Sequence, residues 1–532
     1  MKMSESSPLI HWADITADRI IKQRGDKDKY VLASGITPSG VVHFGNFRET
    51  ITVDMVARGL RARGKNVRFI FSWDDYDTFR KIPVNMPNQE LLKNYLFCPI
   101  VDTPDPFSEE ESYAAHHEKA YEKQLERVGI QVEPIYQSKK YKNGDYKEQI
   151  KLTLKHRDVI AAILNKHRSS PLEDTWMPVS LYCGSCNRDK VKNIKWNGDN
   201  LLNYTCELCG HEGQEDLQST SRVKLPWRMD WPMRWVYEAV DFEPGGKDHS
   251  SEGGSYTTAK EIVSEVYTGS PPIYLQYDFV SIKGAGGKMS SSKGDVITVN
   301  DVLNIYEPEM VRWIFASYKT NVDFSISFDL DVIKTYEDFD RQERQAYGAE
   351  PANEKKVAMA KRVMELSQIS AMPTELPIQP SFRHLCNILQ INDGDITKIK
   401  SNYQGQIKTQ RDERRLEERS RCALNWLRDY APEDFKFTLN KSKPQLDLGN
   451  DQIQFLGKLA QLLKDEWHSF SEPESGDKAL HEKMYEVIHT VEGLEPAQAF
   501  KALYMVLINK EKGPKLANFI VTIGQERVLQ LL

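Results

Sequence analysis

Long apolar runs are missing from this 532-residue chain: none approaches a membrane span, and the opening MKMSESSPLIHWADITADR has no apolar core of signal-peptide length. A secreted or membrane-spanning protein is therefore not expected, and a cytoplasmic one is. Cysteine is scarce, with 7 in the chain, four of them in two close pairs. In a reducing compartment such pairs hold metal more often than they form disulfides, so a disulfide scaffold is not expected. Excess basic charge is missing too. The formal net charge of −6 argues against wholesale polyanion binding while leaving room for a local basic face. No internal repeat and no low-complexity tract is present. What remains is an ordinary globular composition, 40% hydrophobic and 28% charged, in a chain long enough for three or four domains.

Residues 11–24 read as a helix, and Tyr30–Ser34 as a short buried strand stopped by the turn signals of GITPSG. A helical pattern then runs from His43 to Arg63 through Ile51, Val53, Val56 and Leu60. Val67–Phe71 is a second strand, ending at the acidic pair Asp74 and Asp75. Strand, glycine-rich turn, helix and strand make a βαβ unit. It predicts a parallel sheet with ligands at the carboxyl ends of the strands. A cysteine module occupies about 180–212, and a second α/β stretch covers 225–300, with IYLQYDFVSI read as one strand. One sheet interrupted by a long insertion accounts for this order. Beyond 300 apolar residues recur at helical spacing, as in Ile453, Leu456, Leu459 and Leu463, or Leu480, Met484, Val487 and Val491, or Phe500, Leu503 and Leu507. These predict a helical bundle, with Pro373–Pro380 as a linker within the region.

Two loops carry candidate chemistry. In SGITPSGVVHFGNF a tight turn feeds a helix N-terminus, where backbone N–H groups meet an anion. His43 and Asn46, three apart, offer neutral donors to phosphate or ribose. In GAGGKMSSSKGD, Lys288 sits on a Gly/Ser segment that stabilises neither helix nor strand. It is not a Walker A loop: Ile282 stands where the first glycine belongs, and Met289 follows the lysine. A lysine on such a loop suits charge that develops only during phosphoryl or nucleotidyl transfer. The insertion carries a metal pattern, Cys183-x2-Cys186 and Cys206-x2-Cys209 separated by 19 residues. Four thiolates close a tetrahedral site, so a structural Zn²⁺ is expected.

The P-S-G-x-x-H-x-G-N turn and the later K-M-S-S-S resemble the two signatures of the class I aminoacyl-tRNA synthetases. His43 and Asn46 match the HIGH motif, and Lys288, Ser290 and Ser292 match KMSKS, with Ser291 in place of its second lysine. Lys293, or the hydroxyls of Ser290–Ser292, would then supply what that lysine does elsewhere. SWDDYD (72–77), WRMDWPMRW (227–235), GGKDHSSEGGSY (245–256) and KGPKLANFI (512–520) narrow the resemblance to the lysyl type. It implies a Rossmann-like catalytic domain with a zinc-containing insertion, then an all-α anticodon-binding domain like that of glutamyl-tRNA synthetases.

The resemblance further implies activation of lysine with ATP and Mg²⁺ and transfer to the 3′-terminal adenosine of its tRNA. Catalysis would rest on His43, Asn46 and Lys288. ATP would meet Pro38, Gly40, His43, Gly45, Asn46, Gly246, Asp248, His249, Lys288, Met289, Ser290, Ser291 and Ser292. A lysine substrate wants acceptors for its ammonium and aromatic walls for its stem. Asp230, Trp231, Trp227, Trp235 and Tyr277 offer these, with Gly35, Thr37 and His249 reading the rest. A glutamate-type enzyme would instead use Arg228 or Arg234, while a silent tRNA-binding relative would lack adenylate formation. A small-cofactor nucleotidyltransferase would share the two signatures without needing the extra helices.

The expected divisions are 1–105 and 225–300 for the catalytic domain and 106–224 for the insertion. A stem-contact region follows at 301–350 and the helical domain at 351–532. A monomer is expected. The mixed charges between 398 and 421 read as a solvated, salt-bridged helix.

Overall fold

The computed structural model describes residues 11–283, 296–471 and 475–532. Its strands, in chain order, are β1 Lys29–Ile36, β2 Asn66–Trp73, β3 Glu133–Tyr136, β4 Ser180–Leu181, β5 Val191–Trp196, β6 Leu201–Cys206, β7 Glu212–Asp216, β8 Val223–Lys224, β9 Phe242–Gly246, β10 Ile273–Tyr277, β11 Val280–Ile282 and β12 Phe324–Ile326. Five of them form one parallel sheet in the order β10-β9-β1-β2-β3. β1 and β2 pair along their whole lengths, from Lys29 opposite Asn66 to Ile36 opposite Trp73. From β1 the chain builds outward on one side to β2 and β3, then returns with β9 and β10 on the other. The carboxyl ends of β1 and β9 therefore flank a topological switch point, where open parallel sheets bind ligands.

The expected βαβ unit is present. Helix Phe44–Arg61 links β1 to β2 and buries Phe47, Ile51, Val53, Val56 and Leu60. It crosses helix Trp12–Arg24 closely at Gly59, where an added Cβ would meet the Ala13 carbonyl oxygen at 3.0 Å and Ala17 Cβ at 3.2 Å. A side chain at this position would push the two backbones apart by a few tenths of an ångström.

IYLQYDFVSI is two strands, not one. β10 ends at Tyr277 in the main sheet, while β11 pairs in parallel with β12. The break is held by Arg48, whose buried guanidinium donates to the carbonyls of Phe279 (3.0 Å), Thr320 (2.8 Å) and Val322 (2.7 Å). It thereby ties the bend at Phe279 to the segment leading into β12, where the Thr320 carbonyl also accepts from the Asp278 N–H at 2.9 Å.

The long insertion contributes more to the sheet than expected, because β3 lies inside the 106–224 segment. The rest of it holds the antiparallel β5-β6-β7 sheet and the β4-β8 pair. Helix Glu354–Ser367 also packs within this first compact unit, through buried Ala360, Val363 and Met364. Packing divides the chain at 374/375, inside the proline-bounded linker, rather than at 351.

The second unit comprises 304–307, 327–341 and 375–532. Phe455, Leu459, Leu463, Leu480, Met484, Leu503 and Leu507 form its core, as the helical spacing predicts. Ile453 departs from the pattern and is 55% exposed, one turn into helix Asn450–Phe470. Helix Gln410–Asp429 keeps its ion pairs, but it is not merely solvated. Arg419 is fully buried, donating to Glu307 Oε1 at 2.5 Å and to both Asp340 carboxylate oxygens at 2.8 and 2.9 Å. Among the described residues no helix is long and apolar enough to cross a membrane.

Candidate active site

A cavity of about 370 Å³ opens at the switch point, lined by the end of β1 (Ser34, Gly35, Ile36, Thr37), by His43, Gly45, Asn46 and Glu49, and by Asp248, His249 and Tyr277. His43 occupies the N-cap position of helix Phe44–Arg61 with extended backbone (φ −90°, ψ 162°), and its ring makes no capping hydrogen bond. Capping is therefore not its task. His43, Asn46 and Glu49 follow at steps of three and share the cavity side of the helix. Asp248 and His249 enter from the short helix after β9, behind Gly246. Pro38 and Gly40 shape the turn without lining the cavity. Lys288, Met289, Ser290, Ser291, Ser292 and Lys293 lie outside the described residues.

Glu49 was missed by the sequence reading, although its spacing from His43 and Asn46 could have signalled it. Its carboxylate accepts from the Gly35 N–H (3.1 Å), Ser34 Oγ (3.0 Å) and Tyr277 Oη (2.7 Å). Burial raises its pKa above the ordinary carboxyl value, and these three donors only partly offset the effect. Gly35 is required here: a Cβ would lie 2.7 Å from the Ser72 carbonyl oxygen on β2.

A second, narrower hollow of about 80 Å³ continues from the first, sharing Ser34, Gly35, Glu49, Asp74, Trp227 and His249. Trp227, Trp231 and Trp235 recur at four-residue steps along helix Trp227–Tyr237 and wall it. The rings of Trp227 and Trp231 stack 4.9 Å apart. Carboxylates dominate the hollow. Burial pushes Glu243 up to about 7, next to Glu49, while Trp235 Nε1 donates to it at 2.6 Å. Burial likewise pushes Asp74 up to about 6, although Arg234 donates to it at 2.6 Å. Of the four carboxylates that line the hollow, Glu238 pairs with Arg68 and Asp74 with Arg234, while no ion pair among the described residues reaches Glu49 or Glu243. Desolvated acids of this kind favour a cationic group beside them.

Asp230 is not the acceptor expected for a ligand ammonium. It is 2% exposed, lines neither hollow, and takes hydrogen bonds from Tyr141 Oη (2.7 Å) and Arg234 Nη2. Its charge is already matched within the helix. Arg234, so engaged, and Arg228, which donates to Thr258 Oγ1 (2.9 Å) and the carbonyl of Gly253, are both committed. Neither offers the fixed guanidinium that a carboxylate side chain would need.

The four cysteines meet as their spacing predicts. The Sγ atoms of Cys183, Cys186, Cys206 and Cys209 all lie within 4.8 Å of one another, with Cys183–Cys209 and Cys186–Cys206 each at 3.7 Å. Such separations are too long for a disulfide and fit four thiolates around one ion. His211 stands beside this group without joining it.

A parallel sheet with a helix N-terminus at its switch point and an adjoining acidic, aromatic hollow is an arrangement suited to a nucleotide and a cationic second ligand. Residues 10–370 match the family described as tRNA synthetases class I (K). The chain belongs to that family. It is 48% identical to a lysine–tRNA ligase of Borreliella burgdorferi over 97% of this chain and 98% of that one. Identity is 47% to the lysine–tRNA ligase of Treponema pallidum, covering 100% and 99% of the two chains. It is 40% to that of Pyrococcus horikoshii, covering 98% and 99%.

Proposed function

We propose that the 370 Å³ cavity binds ATP and the acidic hollow binds the side chain of lysine, so that the site ligates lysine to tRNA in two steps. The activity is that of a lysine–tRNA ligase, a class I synthetase. The observation that carries the division of the site is the cluster of Glu49, Asp74 and Glu243 against three tryptophans, which matches an ammonium on an apolar stem.

In the first step a lysine carboxylate oxygen attacks the α-phosphorus of Mg²⁺-bound ATP. The bond to the β-phosphate breaks and pyrophosphate leaves with its electron pair. The carboxylate is already ionised, so no general base is needed. His43 and Asn46, which line the cavity, would donate to the phosphates, and Lys288 would supply charge to the transition state. Asp248 and His249 would hold the nucleoside side. In the second step a hydroxyl of the tRNA's terminal ribose adds to the acyl carbon. AMP departs, and the hydroxyl proton ends on the released phosphate.

The cysteine cluster is proposed to hold Zn²⁺ as a structural ion, which requires the thiols to stay reduced, as in a cytoplasmic protein. Residues 301–350 are proposed to contact the tRNA stem and the helical region beyond 351 to read its anticodon. Pyrophosphate exchange measured with each amino acid in turn tests the reading. Exchange is expected with lysine. Exchange with glutamate and not lysine would overturn it.

A further inference from the structure

The cysteine module is tied to the ATP cavity by buried side chains that neither step of the reaction uses. β4 leads directly into the first pair of thiols: Leu181 ends the strand, Tyr182 follows and Cys183 comes next. β4 pairs with β8, placing Ser180 opposite Lys224, and the Tyr182 N–H donates to the Arg222 carbonyl at 3.1 Å. Residues 76–78, just beyond the carboxyl end of β2, are held from this side. Tyr182 is 1% exposed, and its hydroxyl donates to the Tyr76 carbonyl at 2.8 Å while the two rings meet edge-on at 5.2 Å. Lys224 donates to the same carbonyl at 3.3 Å and pairs with the Asp77 carboxylate. Thr78 Oγ1 lies 3.2 Å from the Tyr182 hydroxyl and donates at 2.7 Å to Asp189, which stands three residues past Cys186. Three successive residues are thus gripped by the turn that carries Cys183 and Cys186 and by its paired strand.

The far side of Asp77 faces the ATP cavity. Thr37 and Asp77 both line it, and Thr37 Oγ1 donates to Asp77 Oδ2 at 3.1 Å. Burial works to raise the Asp77 pKa, but the Lys224 ammonium overrides this and holds it below the ordinary value. An ionised carboxylate only accepts, so Thr37 spends its proton on Asp77 and its oxygen is left as an acceptor. That polarity suits the α-ammonium of an amino acid, which only donates. A hydroxyl without a fixed partner would turn either way.

We infer that Tyr182 is a positioning residue, which carries the geometry of the Cys183–Cys186 turn through residues 76–78 to the Thr37 hydroxyl and so to the binding of lysine. The inference rests on the ligase reading. Tyr182 touches no reacting atom, and the phosphates of ATP have their own donors at His43 and Asn46, so its effect falls on the amino acid. The cysteine module then serves the substrate as well as its own fold: holding the four thiols together also holds Thr37 in register.

The test uses the full-length protein and lysine-dependent pyrophosphate exchange. Tyr182→Phe removes one hydroxyl and leaves the ring and the thiols in place. It should raise the KM for lysine about fivefold, the worth of one net hydrogen bond, with kcat and the KM for ATP within about twofold and the zinc content unchanged. Asp189→Asn, which loosens the grip on Thr78 from the same turn, should give the same pattern and serves if Tyr182→Phe fails to fold. In a Thr37→Val background Tyr182→Phe should raise the KM for lysine no further. Removing the metal with a chelator should weaken lysine binding, read by calorimetry without ATP, more in the parent than in Tyr182→Phe. An unchanged KM for lysine in both turn variants, or losses that simply multiply with that of Thr37→Val, would overturn the inference. Equal losses for lysine and ATP would overturn it too, since Tyr182 would then be merely structural. Absence of lysine-dependent exchange in the unaltered protein would instead sink the ligase reading, so the two failures are distinct.

Discussion

The two halves of helix Phe44–Arg61 each carry a buried acid, and the acids behave in opposite ways. In the second half, Asp54 is enclosed by cations: Arg312 Nη2 lies 2.5 Å away and Arg58 Nε 2.8 Å away. Burial works to raise its pKa, but the two guanidiniums win and hold it below the ordinary carboxyl value. Arg312, itself fully buried, spends its other donors on the carbonyls of Val128 and Leu366. In the first half, Glu49 takes three neutral donors and forms no ion pair among the described residues, and burial raises its pKa. One acid is matched by guanidiniums at contact distance, and the other is not matched by any described ion pair. The difference separates structure from site more sharply than residue type does.

Breaking the complete half should have the largest effect. Arg312→Met leaves Asp54 with Arg58 alone and the Val128 and Leu366 carbonyls without their donor, and should destabilise the protein by about 3–5 kcal/mol, read by denaturant unfolding. Adding Asp54→Asn should recover much of that loss. A single substitution that unfolds no earlier than the parent would contradict the assignment.

Changing the incomplete half should affect binding instead. Glu49→Gln keeps the Oε1 acceptor for Ser34 and the Gly35 N–H, makes the Tyr277 hydroxyl accept instead of donate, and removes the charge. It should raise the KM for lysine by about 30- to 100-fold, from the loss of a charged hydrogen bond of about 2–3 kcal/mol, with the KM for ATP nearly unchanged. Thermal stability without lysine should hold or rise, since a desolvated carboxylate is gone.

The smallest effect is on pH dependence. Glu49, Asp74 and Glu243 have folded pKa values raised above the unfolded carboxyl value of about 4. Their contribution to stability is therefore fully present below about pH 4 and lost as pH rises through their folded values, about 6 for Asp74 and about 7 for Glu243. Asp54, with a lowered folded value, contributes above the unfolded pKa and loses that contribution on acidification. Bound lysine compensates only the ionised form of the hollow. At one fixed lysine concentration its stabilising shift in Tm should be larger at pH 7.5 than at pH 5.5. An equal or smaller shift at pH 7.5 would mean that the hollow does not bind the ammonium.

The same comparison explains what could be read without coordinates. The βαβ unit, His43, Asn46 and the four cysteines are local patterns, with spacing and turn chemistry in contiguous stretches. Asp230 was legible as an acid among tryptophans. What was not legible is that Arg234, four residues on, and Tyr141, 89 positions away, already engage it. Glu49 and Glu243 are the reverse case. Glu243 has nothing in its immediate sequence to mark it and Glu49 only its helical spacing from His43 and Asn46, because their shared environment arises only when β1, β9 and helix Trp227–Tyr237 converge. The break in IYLQYDFVSI was hidden for the same reason, since Arg48 reaches it from more than 200 positions away.

The most direct measurement compares lysine with norleucine, its neutral analogue of similar shape, in pyrophosphate exchange by the parent protein and by Glu49→Gln. The account predicts strong preference for lysine in the parent and most of that preference lost in the variant. Discrimination that survives intact in Glu49→Gln would contradict the claim that an uncompensated buried acid selects the substrate.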